Sequence, residues 1–130
     1  MERTDRLVTG VDIVNVNRIE KILSNRRDKF YKKIFTEREI EHITNKGNKP
    51  TTVAGNFAAK EAVSKALGTG IGVIRWKDIE ILREYSGKPY INFTRKEIRD
   101  NLKIKEIQLS ISHETDYAIA FVVGYIGSEV

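Results

Sequence analysis

Four places in the 130-residue sequence carry side chains whose type and setting could do chemistry. The first is Asp12 in LVTGVDIV (7–14), a carboxylate inside a run of β-branched residues. Such a group is costly to desolvate unless it meets a cation, a hydrogen-bond donor or water at the strand's end, so Asp12 needs a partner. A structural pair with lysine or arginine, or a place at the sheet rim, would satisfy it as well as a functional role. The second is AGNFAAKEAVSKAL (54–67), where Glu61 and Lys65 stand one helical turn apart and could be an ordinary i,i+4 ion pair. GTGIG (68–72) is the third: its glycines either let amide groups approach an anion or cap the preceding helix. It is neither a dinucleotide fingerprint nor a P-loop, because those follow a strand and open a helix. The fourth is His113 in SISH, able to donate to a phosphate or carry a proton, or simply to bond at a strand end. With two histidines far apart and no cysteine, a histidine-rich transition-metal site is not expected, whereas two carboxylates suit a hard ion such as magnesium.

The elements that must position these groups follow from hydrophobic periodicity. A buried strand is expected over 7–14 with apolar residues on both faces, then a short helix over 16–23 whose stripe is Val16, Ile19, Ile22 and Leu23. A basic, partly exposed helical stretch (26–35) sets Phe30, Tyr31, Ile34 and Phe35 among five cations. Thr36 and Glu39 have capping-box spacing and open a helix over 37–44. After the NKGNKP loop, Thr51 or Thr52 caps a long helix to Leu67, with Ala59, Ala62, Val63 and Ala66 on its close-packing face. Strands at 79–84 and 89–93 form a hairpin through SGK, and Thr94 with Glu97 opens a helix to about Leu102. A half-buried strand (107–112) and a central strand (117–125) turn through ETD. The expectation is one α+β domain over 1–130, with a largely antiparallel sheet packed on a long central helix.

A chain of this length is one domain's worth, and 40% hydrophobic residues with two prolines describe a packed globule. The absence of cysteine excludes a disulfide framework, a thiolate zinc site and cysteine nucleophilic catalysis, and fits a cytoplasmic protein. No apolar run approaches the roughly 18 residues that span a bilayer, and the first ten residues lack a signal-peptide core, so no membrane partner is expected. A net charge of +5 favours anionic partners.

Five strings occur in the order found in the holo-[acyl-carrier-protein] synthases, a short bacterial type of the 4'-phosphopantetheinyl transferase superfamily. They are GVDIVNVNRI (10–19), IFTERE (34–39), NFAAKEAVSKALGTGIG (56–72), SGKPYI (86–91) and SISHETDYAIAFVV (110–123). The resemblance spans nearly the whole chain, and it implies an enzyme that moves the phosphopantetheine arm of coenzyme A onto a serine of apo acyl carrier protein, releasing adenosine 3',5'-bisphosphate. It further implies magnesium, held by Asp12 and Glu61, and a homotrimer. Lys65 is then the electrostatic helper beside those two catalytic carboxylates, while Lys65, Gly68, Thr69, Gly70 and His113 contact coenzyme A. For the acidic carrier protein the complementary surface is Arg18, Ile22, Arg26, Arg27 and Phe30.

Two positions depart from the pattern. Asn15 stands where that family usually has glutamate, and Asn56 where it usually has a basic residue. The expectation drawn from this is that an acid–base pair has been replaced by two neutral amides in mutual contact. A synthase paralogue with reduced rate is one alternative. A small basic nucleic-acid-binding module is another, with Phe30 or Tyr31 stacking on bases; it accounts for the charge but not for an aspartate in a strand, a glutamate helix and a glycine loop together.

Overall fold

The computed structural model describes residues 5–127. In chain order the elements are β1 (Asp5–Asn15), α1 (Val16–Ile34), α2 (Glu37–Asn45), α3 (Pro50–Leu67), a 3₁₀ turn (Trp76–Asp78), β2 (Ile79–Arg83), β3 (Pro89–Phe93), α4 (Lys96–Asn101), β4 (Ile104–His113) and β5 (Tyr117–Gly127). The strands form two antiparallel sheets, β1-β5-β4 and β2-β3, so the architecture is α+β with α3 lying across the larger sheet. β5 is central as expected, paired along its length to β1 (Gly10 opposite Val122, Asp12 opposite Ala120) and to β4 (Leu109 opposite Val122). Among the described residues no helix is long and apolar enough to cross a membrane.

β1 and β5 correct the expectation of strands buried on both faces. Their burial alternates: Gly10, Val14, Ala118, Ala120 and Val122 lie under α3, whereas Leu7, Val11, Ile13, Ile119, Phe121 and Tyr125 are 41–61% exposed. The register sets Leu7 against Tyr125, Val11 against Phe121 and Ile13 against Ile119, so the exposed side chains form one apolar sheet face. α3 sits close on the other face because Gly10 has no side chain: a Cβ there would fall on the Ala62 carbonyl oxygen and lie 2.7 Å from the Ala66 nitrogen. Ala58, Ala59 and Ala62 are fully buried in the same contact.

Helix ends separate local from long-range control. The Thr36–Glu39 box forms, with Thr36 N donating to Glu39 Oε1 (2.9 Å) and Glu39 N to Thr36 Oγ1 (3.3 Å). α3 starts earlier than expected, at Pro50 in the first-turn position with Lys49 as N-cap, so neither Thr51 nor Thr52 caps it. The Thr94–Glu97 box is absent: Arg95 is the N-cap of α4, and Thr94 Oγ1 donates instead to the Lys77 carbonyl (2.9 Å). The expected short helix and basic stretch are joined as α1, with a non-helical break at Arg26 (φ −152°, ψ 44°).

One buried polar cluster ties α2, α3 and β2 together. Lys60 and Glu39 are both fully buried, and Lys60 Nζ donates to Glu39 Oε1 (2.7 Å), the Trp76 carbonyl (2.9 Å) and the Ile79 carbonyl (2.5 Å). Glu39 Oε2 accepts from Ile81 N at 2.9 Å. Every charged atom thereby has a partner, the condition for tolerating such a pair in a core.

Candidate active site

Asp12 lies on the inner face of β1, two residues beyond Gly10, and so faces the part of α3 that Gly10 admits. Glu61 and Lys65 are the chain neighbours of Ala62 and Ala66, the residues touching Gly10, which brings both beside Asp12. Lys65 Nζ donates to Asp12 Oδ1 (3.0 Å) and to the Val11 carbonyl (3.1 Å), so it reaches across to the strand instead of serving only the helix. Asp12 is 17% exposed and Lys65 half exposed, which puts the pair at the open edge of the helix–sheet contact. Burial pushes the Glu61 carboxyl above the usual range and the negative charge of Asp12 pushes it further, against the opposing pull of Lys65 and Arg18. A proton or a cation beside the raised Glu61 carboxyl relieves this cost.

The donor set fits magnesium, which binds through one or two carboxylates and completes its shell with water and phosphate oxygens. Among the described residues there is no cluster of three or more histidine, cysteine, aspartate or glutamate side chains, so a fully protein-ligated metal cage is absent there.

The GTGIG loop is adjacent but differently engaged than expected. Gly68, in the left-handed region (φ 75°), ends α3, and its amide bonds the Lys65 carbonyl (3.1 Å). The Thr69 and Gly70 amides both bond the Ser64 carbonyl at 3.2 Å. These three amides cap the helix and are not free donors; the buried Thr69 hydroxyl is the group of this loop left without a partner.

His113 lies elsewhere, at the end of β4, where it lines a cleft of about 490 Å³ with His42, Lys46, Lys49, Arg83 and the β2–β3 turn. Gly55 of α3 also lines it, so the cleft meets the helix six residues before Glu61, roughly 9 Å along its axis. Burial, then the charges of Arg83 and Lys46, hold His42 below the ordinary histidine value.

A family model described as the 4'-phosphopantetheinyl transferase superfamily matches residues 9–122. The chain belongs to that superfamily. It is 48% identical over 116 residues to the holo-[acyl-carrier-protein] synthase of Caldicellulosiruptor saccharolyticus, covering 88% of this chain and 92% of that one. Among solved structures it resembles the Helicobacter pylori holo-[acyl-carrier-protein] synthase in complex with coenzyme A (TM-score 0.82, 37% identity, 92% of this chain and 99% of that one). It also resembles the Bacillus anthracis synthase in complex with CoA (3',5'-ADP), with a TM-score of 0.74, 40% identity, and 92% and 96% of the two chains covered.

In this transferase the expected docking residues all lie on α1, in different surroundings. Arg18 is exposed in the first turn of α1 and near enough for its charge to act on Glu61, with Ile22 half-buried one turn on. Arg26 and Arg27 are exposed around the helix break, with Arg27 Nε 4.0 Å from Asp28 Oδ1. Phe30 is largely a packing residue instead, its ring 6.0 Å from that of Phe35 and 5.9 Å from that of Phe57, which itself stacks on Trp76.

The expected contact between Asn15 and Asn56 does not form within the chain. Asn15, on the outward face of β1, caps α1 by accepting from Arg18 N (3.0 Å). Asn56 is buried in α3 with Oδ1 accepting from Arg83 Nη2 (3.0 Å), and its Nδ2 has no partner. The two amides therefore serve opposite sides of the sheet. Arg83 and Lys60 are the residues that sequence reasoning passed over; their partners lie 27 and 21 positions away.

Proposed function

We propose that this transferase moves 4'-phosphopantetheine from coenzyme A to a serine of apo acyl carrier protein and releases adenosine 3',5'-bisphosphate. The observation that carries the site assignment is the meeting of Asp12, Glu61 and Lys65 where Gly10 lets α3 touch β1. Asp12 and Glu61 would hold magnesium, which when bound neutralises diphosphate charge and stabilises the departing bisphosphate. Lys65, one helical turn beyond Glu61, adds a mobile positive charge for phosphate oxygens as the phosphorus–oxygen bond to the nucleotide breaks. The Thr69 hydroxyl, buried and unpartnered, is the group of the glycine loop suited to donate to the same diphosphate. His113, with the basic cleft around it, takes the nucleotide end. Arg18 and Ile22 meet the acidic carrier protein next to the carboxylates, with Arg26 and Arg27 extending the positive surface.

The whole chain, 1–130, acts as one transferase domain, cytoplasmic and without a nucleic-acid partner. Its apolar sheet face is covered in a homotrimer, which supplies what those six exposed side chains lack on their own.

The test mixes the protein with coenzyme A, magnesium and an apo acyl carrier protein and follows the carrier by mass spectrometry. Addition of one phosphopantetheine is expected, lost with Asp12→Ala, with Glu61→Ala or with a chelator, while circular dichroism stays unchanged. Transfer that survives both substitutions overturns the assignment of these carboxylates.

A further inference from the structure

The loop 46–49 joins α2 to α3 in four residues, and its two lysines, Lys46 and Lys49, line the cleft beside His113. It brings no apolar side chain to the core, so packing does not fix its course. Its backbone turns through two consecutive left-handed residues, Gly47 (φ 78°) and Asn48 (φ 54°). The amides of Lys46, Gly47 and Asn48 close back on α2, bonding the His42, Thr44 and Ile43 carbonyls at 3.1, 2.9 and 3.0 Å. Glycine takes that backbone region freely, whereas residues with a side chain are disfavoured there, asparagine less than most. An asparagine in place of a second glycine needs a reason, and its side chain supplies one: Asn48 Oδ1 accepts from the Tyr31 hydroxyl at 2.9 Å. Tyr31 comes from the buried face of α1, is 5% exposed, and sets its ring edge-on to that of Phe35 at 5.8 Å. The phenol is fixed by the core, and it is the side-chain anchor of a loop that otherwise rests on its own helix end.

We infer that Tyr31 is a positioning residue of this transferase, whose hydroxyl holds Asn48 in the left-handed turn and thereby keeps Lys46 and Lys49 at the cleft. This rests on the proposed role of the cleft in taking the nucleotide end of coenzyme A. Lysine side chains are flexible, so the loop backbone decides where their charges gather. Without the phenol's hydrogen bond the left-handed asparagine loses its compensation, and the loop spends part of its time on courses that carry both charges away. Apparent affinity for an anionic nucleotide then falls by the fraction of loop left in the competent course. One neutral hydrogen bond sets the ceiling of that loss at about 2- to 10-fold. Asp12, Glu61 and Lys65 stand on β1 and the second half of α3, outside this loop, so turnover of bound donor does not depend on it.

The experiment measures calorimetric binding of adenosine 3',5'-bisphosphate to wild type, Tyr31→Phe, Lys46→Ala/Lys49→Ala and the triple variant that combines them. Hydrogen–deuterium exchange over 46–49 and steady-state transfer from coenzyme A are followed alongside. Tyr31→Phe keeps the ring, so its circular dichroism should match wild type. Its Kd for the bisphosphate and its KM for coenzyme A should both rise about 2- to 10-fold while kcat does not fall, and exchange of the loop amides should quicken by a similar factor. In the protein already lacking both lysines, Tyr31→Phe should change Kd no further, because the hydroxyl acts through those charges. A Tyr31→Phe protein with wild-type Kd, or one whose Kd weakens equally with and without the two lysines, overturns the inference. A wild type that binds the bisphosphate but transfers nothing strikes the proposed reaction alone, and the Kd comparison still judges Tyr31. A wild type that binds no bisphosphate overturns the inference together with the role given to the cleft.

Discussion

Replacing Lys60 by methionine should be the most damaging conservative-volume change in the core. Lys60 and Glu39 are fully buried, and the ammonium serves one carboxylate and two carbonyls within 2.9 Å. Lys60→Met leaves Glu39 with two backbone donors, Thr36 N and Ile81 N, but no countercharge. Removing one partner of a buried ion pair costs about 3–5 kcal/mol. Set against a typical domain stability of about 5–15 kcal/mol, that is a large fraction, and for 130 residues it corresponds to a fall in Tm of roughly 10–20 °C. Urea unfolding at equal subunit concentration measures it. The pH dependence identifies the cause. Burial already lifts the Glu39 carboxyl above its ordinary value, and loss of Lys60 lifts it further. An acid whose folded pKa exceeds its unfolded one binds more protons when folded, so stability rises as pH falls from that folded value toward about 4. The deficit of Lys60→Met should therefore shrink in acid, and Glu39→Gln/Lys60→Met should lose less than the two single changes summed. A deficit under about 1 kcal/mol, or one independent of pH, would refute the claim that this pair locks α2, α3 and β2.

Three further outcomes follow from contacts already described. Gly10→Ala drives a methyl into the backbone of α3 at Ala62 and Ala66, so it should cost at least about 1–3 kcal/mol and lower kcat as Asp12 and Glu61 separate, checked by urea unfolding beside the transfer assay. Asp78 is held below the usual carboxylate range by Arg95, which donates from Nε (3.0 Å) and Nη2 (2.9 Å), and by the Arg75 amide. Its contribution is present above the unfolded value of about 3.9 and lost as pH falls through the lower folded value, so wild type and Asp78→Asn should converge in Tm below about pH 4. If the proposed trimer covers the exposed sheet face, wild type should sediment as a trimer and Phe121→Asp, in the middle of that face, as a monomer, measured by sedimentation velocity.

Features decided within a few residues were legible in the sequence. The Thr36–Glu39 cap formed because its donors and acceptors lie in one turn, and the helix end at Gly68 because only glycine takes that backbone angle without strain. The second cap, Thr94 with Glu97, has the same spacing and fails because Arg95 is drawn to Asp78 and Thr94 to Lys77, both across space. β1 and β5 misled for another reason: apolar residues on both faces state that both are to be covered, without stating by what, and one chain covers only one of them. Asp12 could be singled out as a carboxylate needing a partner. That the partner is Lys65, and that Glu61 joins them from 49 positions away, needed the resemblance or the fold, because the contact is made by Gly10 against alanine backbone. Lys60 looks like any helix-surface lysine until Glu39 is brought to it.

The two charged regions work only while they stay apart. In the proposed reaction the carboxylates must remain negative enough to hold a cation, and the cleft positive enough to take the nucleotide end of the donor. Two unit charges as far apart as the roughly 9 Å rise from Gly55 to Glu61 would interact by about 2 kcal/mol at an effective dielectric constant near 20, and mobile ions weaken such interactions further. At much shorter range a cleft cation would compete with a metal for Glu61, and Glu61 would neutralise that cation. α3 prevents this by carrying Asn56 in its first half and Glu61 with Lys65 in its second, so one rigid helix sets the spacing between them. It also explains why Lys65, not an arginine fork, stands at the carboxylates. A flexible ammonium can leave Asp12 when a cation and a diphosphate arrive, whereas the guanidinium in the cleft is held on Asn56 and has no such exchange to make.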